Sequence, residues 1–381
     1  MRKFEPLRFS RNRADFYVTL NQRVNEYFKT RKAQKHANVE MIFKSIFMLA
    51  IYFVPYFIMM FAGITNPWIM LGLCLVMGLG IAGIGLNIMH DANHGAYSNN
   101  PVINNIMGLT LNLIGANAFN WKVQHNVLHH TYTNVHDFDE DVSQRGIFRF
   151  NPNAPHKAIH KFQHIYAWFL YGLMTFQWVF FKDIARLINY QRRGLVNQVK
   201  ASAKKEWFIL VFSKLIYLTY ALVLPMIFLP FSWWQIAIGF FAAHWVAGFI
   251  LAVIFQPAHV TSDSEFPLPD DEKSLENNWA IHQLLTTKNF AQDNFLFSWF
   301  VGGLNQQIEH HLFPTICHVH YRNIGKIVKA TAEEHGLPYY QAKTFTGALV
   351  EHFTLLRKLG NKNYMGEVKL EPVLVDQELA Y

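Results

Sequence analysis

Four long apolar stretches, arranged as two pairs, constrain this chain more than any other feature of its sequence. Residues 41–62 and 67–89 form one pair, and residues 207–230 and 233–256 form the other. Each is close to the roughly 20 residues that an α-helix needs to cross the hydrocarbon of a bilayer. A chain inside lipid must satisfy its own backbone polar groups, so stretches of this kind are expected as helices. The link within each pair is only a few residues long, which makes each pair a helical hairpin. Pro55 is expected to kink the first helix without excluding it, and the glycines of 67–89 permit close helix packing. The fold class that follows is an all-α integral membrane protein with four transmembrane helices in two hairpins.

Composition agrees with that reading. Hydrophobic residues make up 51% of the 381 positions and charged residues 16%, against roughly 25% charged in soluble domains. The 34 Phe and 10 Trp suit a surface that faces lipid and its interface. A net charge of +8 would ordinarily raise the question of a nucleic-acid partner, but here the basic residues follow the membrane and no nucleic acid is expected. The turns at 63–67 and 230–232 hold no Lys or Arg, whereas the N-terminal arm, residues 122–206 and the C-terminal region are basic. By the positive-inside rule those three regions share the cytoplasmic face. Cys74 and Cys317 provide neither a disulfide framework nor a metal-thiolate motif, in keeping with a reducing compartment on that face.

The remaining segments fit around the hairpins. Residues 1–40 form a basic arm in which Phe16, Leu20, Val24, Tyr27 and Phe28 fall at helical spacing. That spacing predicts an amphipathic helix lying on the bilayer surface, with an ordinary solvated arm as the alternative. Residues 102–119 are apolar but dotted with Asn and short for a span, so a re-entrant or interfacial return is expected. Residues 162–190 read as interfacial helix; the alternative, a further span, would put His90–His130 and the C-terminal segment on opposite faces. Residues 41–365 make one membrane domain whose polar parts form a helical cap on the cytoplasmic face, and residues 366–381 form a loose tail.

Histidine carries the chemistry. HDANH places His90 and His94 four apart, so both rings project from one face of a helix continuing the second apolar stretch. HNVLHH repeats the spacing with His125 and His129, and His130 is turned about 100° away, within reach of a second metal. QQIEHH adds Gln307, His310 and His311. A lone histidine is ordinarily a satisfied core or surface residue. Three clusters on one membrane face are enough for a binuclear metal site, and imidazole suits Fe, Zn, Cu or Ni. His36, His136, His156, His160, His164, His335 and His352 lack ligand spacing.

As a set, HDANH, HNVLHH and QIEHH resemble the three histidine boxes of membrane fatty acid desaturases. NQQIEHHLFP resembles the front-end branch, in which Gln replaces the first His of the third box. The similarity extends through WKVQHNVLHHTYTN and NNWAIHQLLTTKNFA and so covers most of the chain. The resemblance implies a centre of two iron ions that uses O2 and two electrons to place a cis double bond in a fatty acyl chain linked to CoA or to a lipid. It implies His90, His94, His125, His129, His130, His310 and His311 as ligands, joined by His259 just after the fourth span. His244, in mid-span, reads as structural or channel-lining. Gln307 stands where a ligand histidine would, which suits a water-mediated role.

Ligating histidines need their second ring nitrogen held, and Asp91, Asn134, Asp137, Asp139 and Glu309 are close enough in sequence to do so. Asp139 reads equally as solvated loop, and Glu140 and Asp141 read as loop. His282, His318 and His320 are expected to support the site without binding metal. Trp121 is a channel candidate or an interfacial anchor. No HPGG haem motif occurs in the sequence, so electrons are expected from a separate carrier of ferredoxin or cytochrome b5 type. A basic face that includes Arg192 and Arg193 would attract such a carrier. The expected location is a bacterial inner membrane with the metal site on the cytoplasmic side. A membrane di-iron hydroxylase shares these boxes and differs in its product. A metal transporter would place its site at the bilayer midplane, not beyond the span ends.

Overall fold

A computed structural model describes residues 3–142 and 146–364. Helix α1 (Asp15–Thr30) precedes a first hairpin made of α2 (Val39–Phe61) and α3 (Pro67–Asn93). A bent pair, α4 (Pro101–Leu113) and α5 (Ala118–Tyr132), follows. Then come α6 (Gln163–Tyr171) and α7 (Asp183–Arg192), both too short to cross a bilayer. The second hairpin is α8 (Ala203–Phe228) and α9 (Trp233–His259). Helices α10 (Trp279–Thr286), α11 (Gln307–Leu312), α12 (Tyr321–Glu334) and α13 (Phe345–Leu359) complete the cap. Among the described residues strand pairing is limited to two parallel bridges, Arg8–Phe9 with Ser274–Leu275 and Asn289–Phe290 with Gln341–Ala342.

Helices α2, α3, α8 and α9 are long and apolar enough to span a membrane, which makes this an integral membrane protein. Their starts are marked in the sequence. Asn38 accepts from the Met41 amide, Asn66 accepts from the Trp68 amide with Pro67 in the first turn, and Ser232 forms a capping box with Gln235. Helix α2 runs unbroken through Pro55. The two hairpins meet along α3 and α9, where a Cβ on Gly78 would fall 2.6 Å from the Ala243 carbonyl oxygen. Gly80 does the same against α2, since its Cβ would lie 2.7 Å from the Tyr52 amide nitrogen. Small residues thus let the backbones touch, as the glycines of 67–89 suggested.

Helices α4 and α5 bend by 107° at their junction. Taken as one span they would carry His125 to the face opposite His90. The rings of those two residues instead lie 5.2 Å apart, so the pair returns to the side from which it set out.

Helix α1 departs from expectation. Phe16, Leu20 and Val24 are fully buried and pack with Ile324, Val328 and Ala332 of α12 in one apolar cluster. The stripe that suggested a bilayer-lying helix is consumed by the cap, because α12 carries a matching stripe and the two faces cover one another. The tail at 366–381 lies outside the described residues.

Candidate metal centre and its cavity

Two widened turns aim the first two histidine clusters. In α3 the segment Ile84–Ile88 is π-helical and leads directly into His90. In α5 the segment Lys122–His129 is π-helical, and the His130 amide bonds the His125 carbonyl five residues back. This i→i+5 pattern stacks residues five apart, where an α-helix would align residues four apart. His125 and His130 therefore face one another, with their Nε2 atoms 3.2 Å apart. His129 turns elsewhere. A helix of ordinary pitch would align His125 with His129; the widened turn sets His125 against His130, which also forms a group with His310 and His311.

The rings gather into two groups. One ligand nitrogen from each of His90, His94, His125 and His310 lies within 4.8 Å of the others, and the same holds for His129, His259 and His311. His130 stands between the groups. Its Nε2 is 2.9 Å from that of His310, and its ring stacks on His311 at 4.2 Å. All eight histidines nominated from the sequence are thus brought together, including His259 at the end of α9. His244 is not among them.

Outer partners fix which nitrogen points inward. His125 Nδ1 lies 2.7 Å from Asp141 Oδ2, and His129 Nδ1 lies 2.9 Å from Asp139 Oδ2. His311 Nδ1 lies 2.8 Å from Gln283 Oε1, His310 Nδ1 lies 3.1 Å from the Tyr321 hydroxyl, and His259 Nδ1 lies 3.3 Å from the Thr286 carbonyl. With Nδ1 engaged, Nε2 is left facing the interior. The Nε2 atoms of His94, His129, His259 and His311 are buried with no hydrogen-bond partner among the described residues. Each would cost about 1–3 kcal/mol if left that way.

The donor set fits a metal. Ligands about 2.1 Å from one ion and cis to one another stand about 3.0 Å apart, close to the 2.9 Å and 3.2 Å separations around His130. Burial, and then the neighbouring histidines, hold His310 and His311 well below the usual imidazole range. They are therefore in the neutral form that binds metal.

Several supporting roles differ from expectation. Asp137 is a solvent-exposed turn residue near His136, and it does not reach the centre. Glu309 accepts from Asn289 and from the Tyr339 hydroxyl, each at 2.8 Å, and burial pushes it up to about 7. It sits on the side of α11 away from His310 and braces the cap. Asp91 accepts from His318, whose other ring nitrogen meets Lys44 Nζ at 2.8 Å, so it anchors the cap to α2 and holds no ligand ring. Asn134 donates to the His259 and Glu265 carbonyls at 3.0 Å and ties off the end of α9.

The acidic run proved to be structural in all three members. Asp139 and Asp141 hold ligand-set histidines, and Glu140 binds Arg186, Arg193 and Tyr190. Arg193 is therefore not an open docking residue, whereas Arg192 is exposed. His282 and His320 lie outside the ring clusters, the one against Phe9 and the other on the His36 carbonyl. Gln283, Tyr321 and the Thr286 carbonyl were not singled out from the sequence. A signal for Gln283 was its place beside His282 in the NNWAIHQLLTTKNFA stretch.

A cavity opens beside the first histidine group. His90, Trp121, His125 and Gln307 line it together with Leu86, Leu111, Leu251, Ile254 and Leu304. Gln307 presents a buried, unpartnered Oε1, and no hydrogen bond joins it to the rings.

Known proteins share this arrangement in sequence. Residues 66–343 match the fatty acid desaturase family, whose catalysis depends on iron. The chain is 36% identical over 357 residues to the sn-1 linoleoyl-lipid 6-desaturase of a Synechocystis strain, covering 93% of this chain and 98% of that one. It is 37% identical to the acyl-lipid (8-3)-desaturase of Physcomitrium patens, over 91% of this chain and 72% of that one. It is 34% identical to the sn-1 linoleoyl-lipid 6-desaturase of Arthrospira platensis, over 90% of this chain and 92% of that one. Helices that span a membrane, inward-facing imidazoles at their ends and a match across most of the length lead to one conclusion: the chain belongs to the fatty acid desaturase family and is an integral membrane desaturase.

Proposed function

We propose that the enzyme places a cis double bond at the sixth carbon of an acyl chain esterified to a membrane lipid, on the carboxyl side of an existing double bond. The observation that carries this reading is the pair of histidine groups, the first of which lies at the edge of a cavity that is otherwise largely apolar. Relatives matched over more than nine-tenths of their length are lipid 6-desaturases, which supports the ester-linked substrate and the position.

His90, His94, His125 and His310 would hold one iron, and His129, His259 and His311 a second, with His130 between them. Iron bound there would supply the O2 activation that removing two hydrogens from an unactivated chain requires; those two hydrogens, together with two electrons from the carrier and two protons, reduce O2 to two waters. Asp141, Asp139, Gln283 and Tyr321 hold the imidazoles in one orientation, so the site is formed before substrate arrives. The wall of Leu86, Leu251, Ile254 and Leu304 favours an alkyl chain and keeps water away from it. Electrons come from a separate reduced carrier of ferredoxin or cytochrome b5 type. The centre faces the cytoplasm of a bacterial inner membrane, in keeping with the basic regions on the side of the cap.

The test is expression in a host of defined lipid composition, with double bonds located by mass spectrometry. A new cis bond at carbon six of lipid-linked linoleoyl chains is expected. A hydroxylated product without a double bond would assign the protein to the oxygenases.

A further inference from the structure

The cavity beside the centre has two chemical characters. Leu86, Leu251, Ile254 and Leu304 belong to one apolar cluster. Gln124, Asp141, Lys182 and Asp183 also line it, and contacts link them, with Gln124 donating to Asp141 and Lys182 within electrostatic reach of Asp141 and Asp183. His90, His125 and Trp121 line the same space. An apolar chain with one polar end matches such a space.

The polar part contains a cation without a dedicated anion. Asp183 is taken by Lys214 at 2.6 Å. Glu140 is taken by Arg186 and Arg193, and Asp141 by His125 at 2.7 Å and by Gln124. Among the described residues the Lys182 ammonium makes no hydrogen bond, and it lies 5.7 Å from the centre of the Trp178 ring. Burial pulls it down to about 8, with Arg186 acting in the same direction against Asp141, Asp183 and Glu140. It still carries its proton at neutral pH. The Lys182 side chain is only partly covered, so its ammonium is open to a ligand that enters the cavity. Lys182 also closes the π-helical segment Trp178–Lys182, a local widening of the kind that often marks functional sites.

We infer that Lys182 binds the carbonyl oxygen of the acyl ester and so fixes how many carbons lie between the ester and the metal-facing methylene. The inference rests on the desaturase reading above and names the group that would set its regiochemistry. Lys182 is a positioning residue, since it touches the substrate's polar end and not the carbons that react. A charge-assisted bond to a carbonyl is worth enough to govern register, because sliding the chain by one carbon would break it.

The experiment compares wild type, Lys182→Met, Lys182→Gln and Lys182→Arg in cells fed linoleate, with double-bond position, lipid class of the product and iron content measured. Lys182→Met and Lys182→Gln are each expected to lower conversion about 10-fold, the loss of one hydrogen bond to a charged group, and to spread the double bond over neighbouring positions. Lys182→Arg is expected to keep a single position, and iron content is expected to stay at the wild-type level in all three. If Lys182→Met fails to accumulate, Lys182→Gln supplies the same reading. Wild-type conversion at a single position in either neutral variant would overturn the inference. So would a change in headgroup preference with position unchanged, since that would place Lys182 on the headgroup. The wild-type product tests the carbon-six reading separately, and a different wild-type position would leave the shift caused by Lys182 still measurable.

Discussion

His244 and His259 lie on the same helix, α9, and both are fully buried, yet they do different things. His244, in the middle of the span, has both ring nitrogens engaged, Nε2 with the Tyr217 hydroxyl at 2.5 Å and Nδ1 with the Thr175 hydroxyl at 3.1 Å. His259, at the helix end, has only Nδ1 engaged and leaves Nε2 facing His129 and His311 without a partner. Burial alone does not mark a ligand. The mark is a buried nitrogen with no partner, aimed at others in the same condition. By that criterion the mid-membrane histidine fastens α9 to its neighbours, and the terminal one is the metal ligand of the proposed centre.

The contrast can be broken most severely at His259. His259→Ala is expected to lower desaturation by about 100-fold or more, since removing even the partner of a ligand costs about 10–100-fold. Bound iron should fall with it, measured by elemental analysis of the purified protein. Asp139→Asn is expected to cost about 10–100-fold in metal affinity or activity, because it weakens the grip on His129 without removing the ring. Metal titration of the variant checks this, and wild-type affinity would deny Asp139 that role.

His244→Phe should leave iron content and product unchanged. It removes the imidazole partner of the Tyr217 hydroxyl, at about 1–3 kcal/mol if that group is left unsatisfied, while the Thr175 hydroxyl keeps its bond to the carbonyl of residue 244, so a lower unfolding temperature in detergent is expected. Asp137→Asn is expected to change neither conversion nor iron, since this carboxylate is exposed and away from the rings. A loss of iron there would undo the distinction drawn between Asp137 and Asp139.

Much of this was legible in the sequence, for identifiable reasons. The spans were readable because lipid leaves the backbone one local solution, and the helices Val39–Phe61, Pro67–Asn93, Ala203–Phe228 and Trp233–His259 overlie the four apolar stretches. The histidine clusters were readable because ligand spacing is local. Their division into two groups was not, since α-helical periodicity pairs His125 with His129 and the π-helical turn pairs it with His130. Asp139 and Asp141 resembled solvated loop because nothing local shows that the chain folds back on itself. Asn134 and Asp137, with positive φ values of 61° and 66°, make that return. Gln283 and Tyr321 reach the rings from distant segments, and only tertiary structure brings them there. Helix α1 was misplaced because an apolar stripe states that it must be covered and not by what.

The central claim is that two groups of buried imidazoles hold two ions. Iron per chain in wild type, His259→Ala and His244→Phe, purified side by side, tests it most directly. Two irons are expected in wild type and in His244→Phe, with one or fewer in His259→Ala. Two irons in His259→Ala, or a wild type that saturates at one, would contradict it.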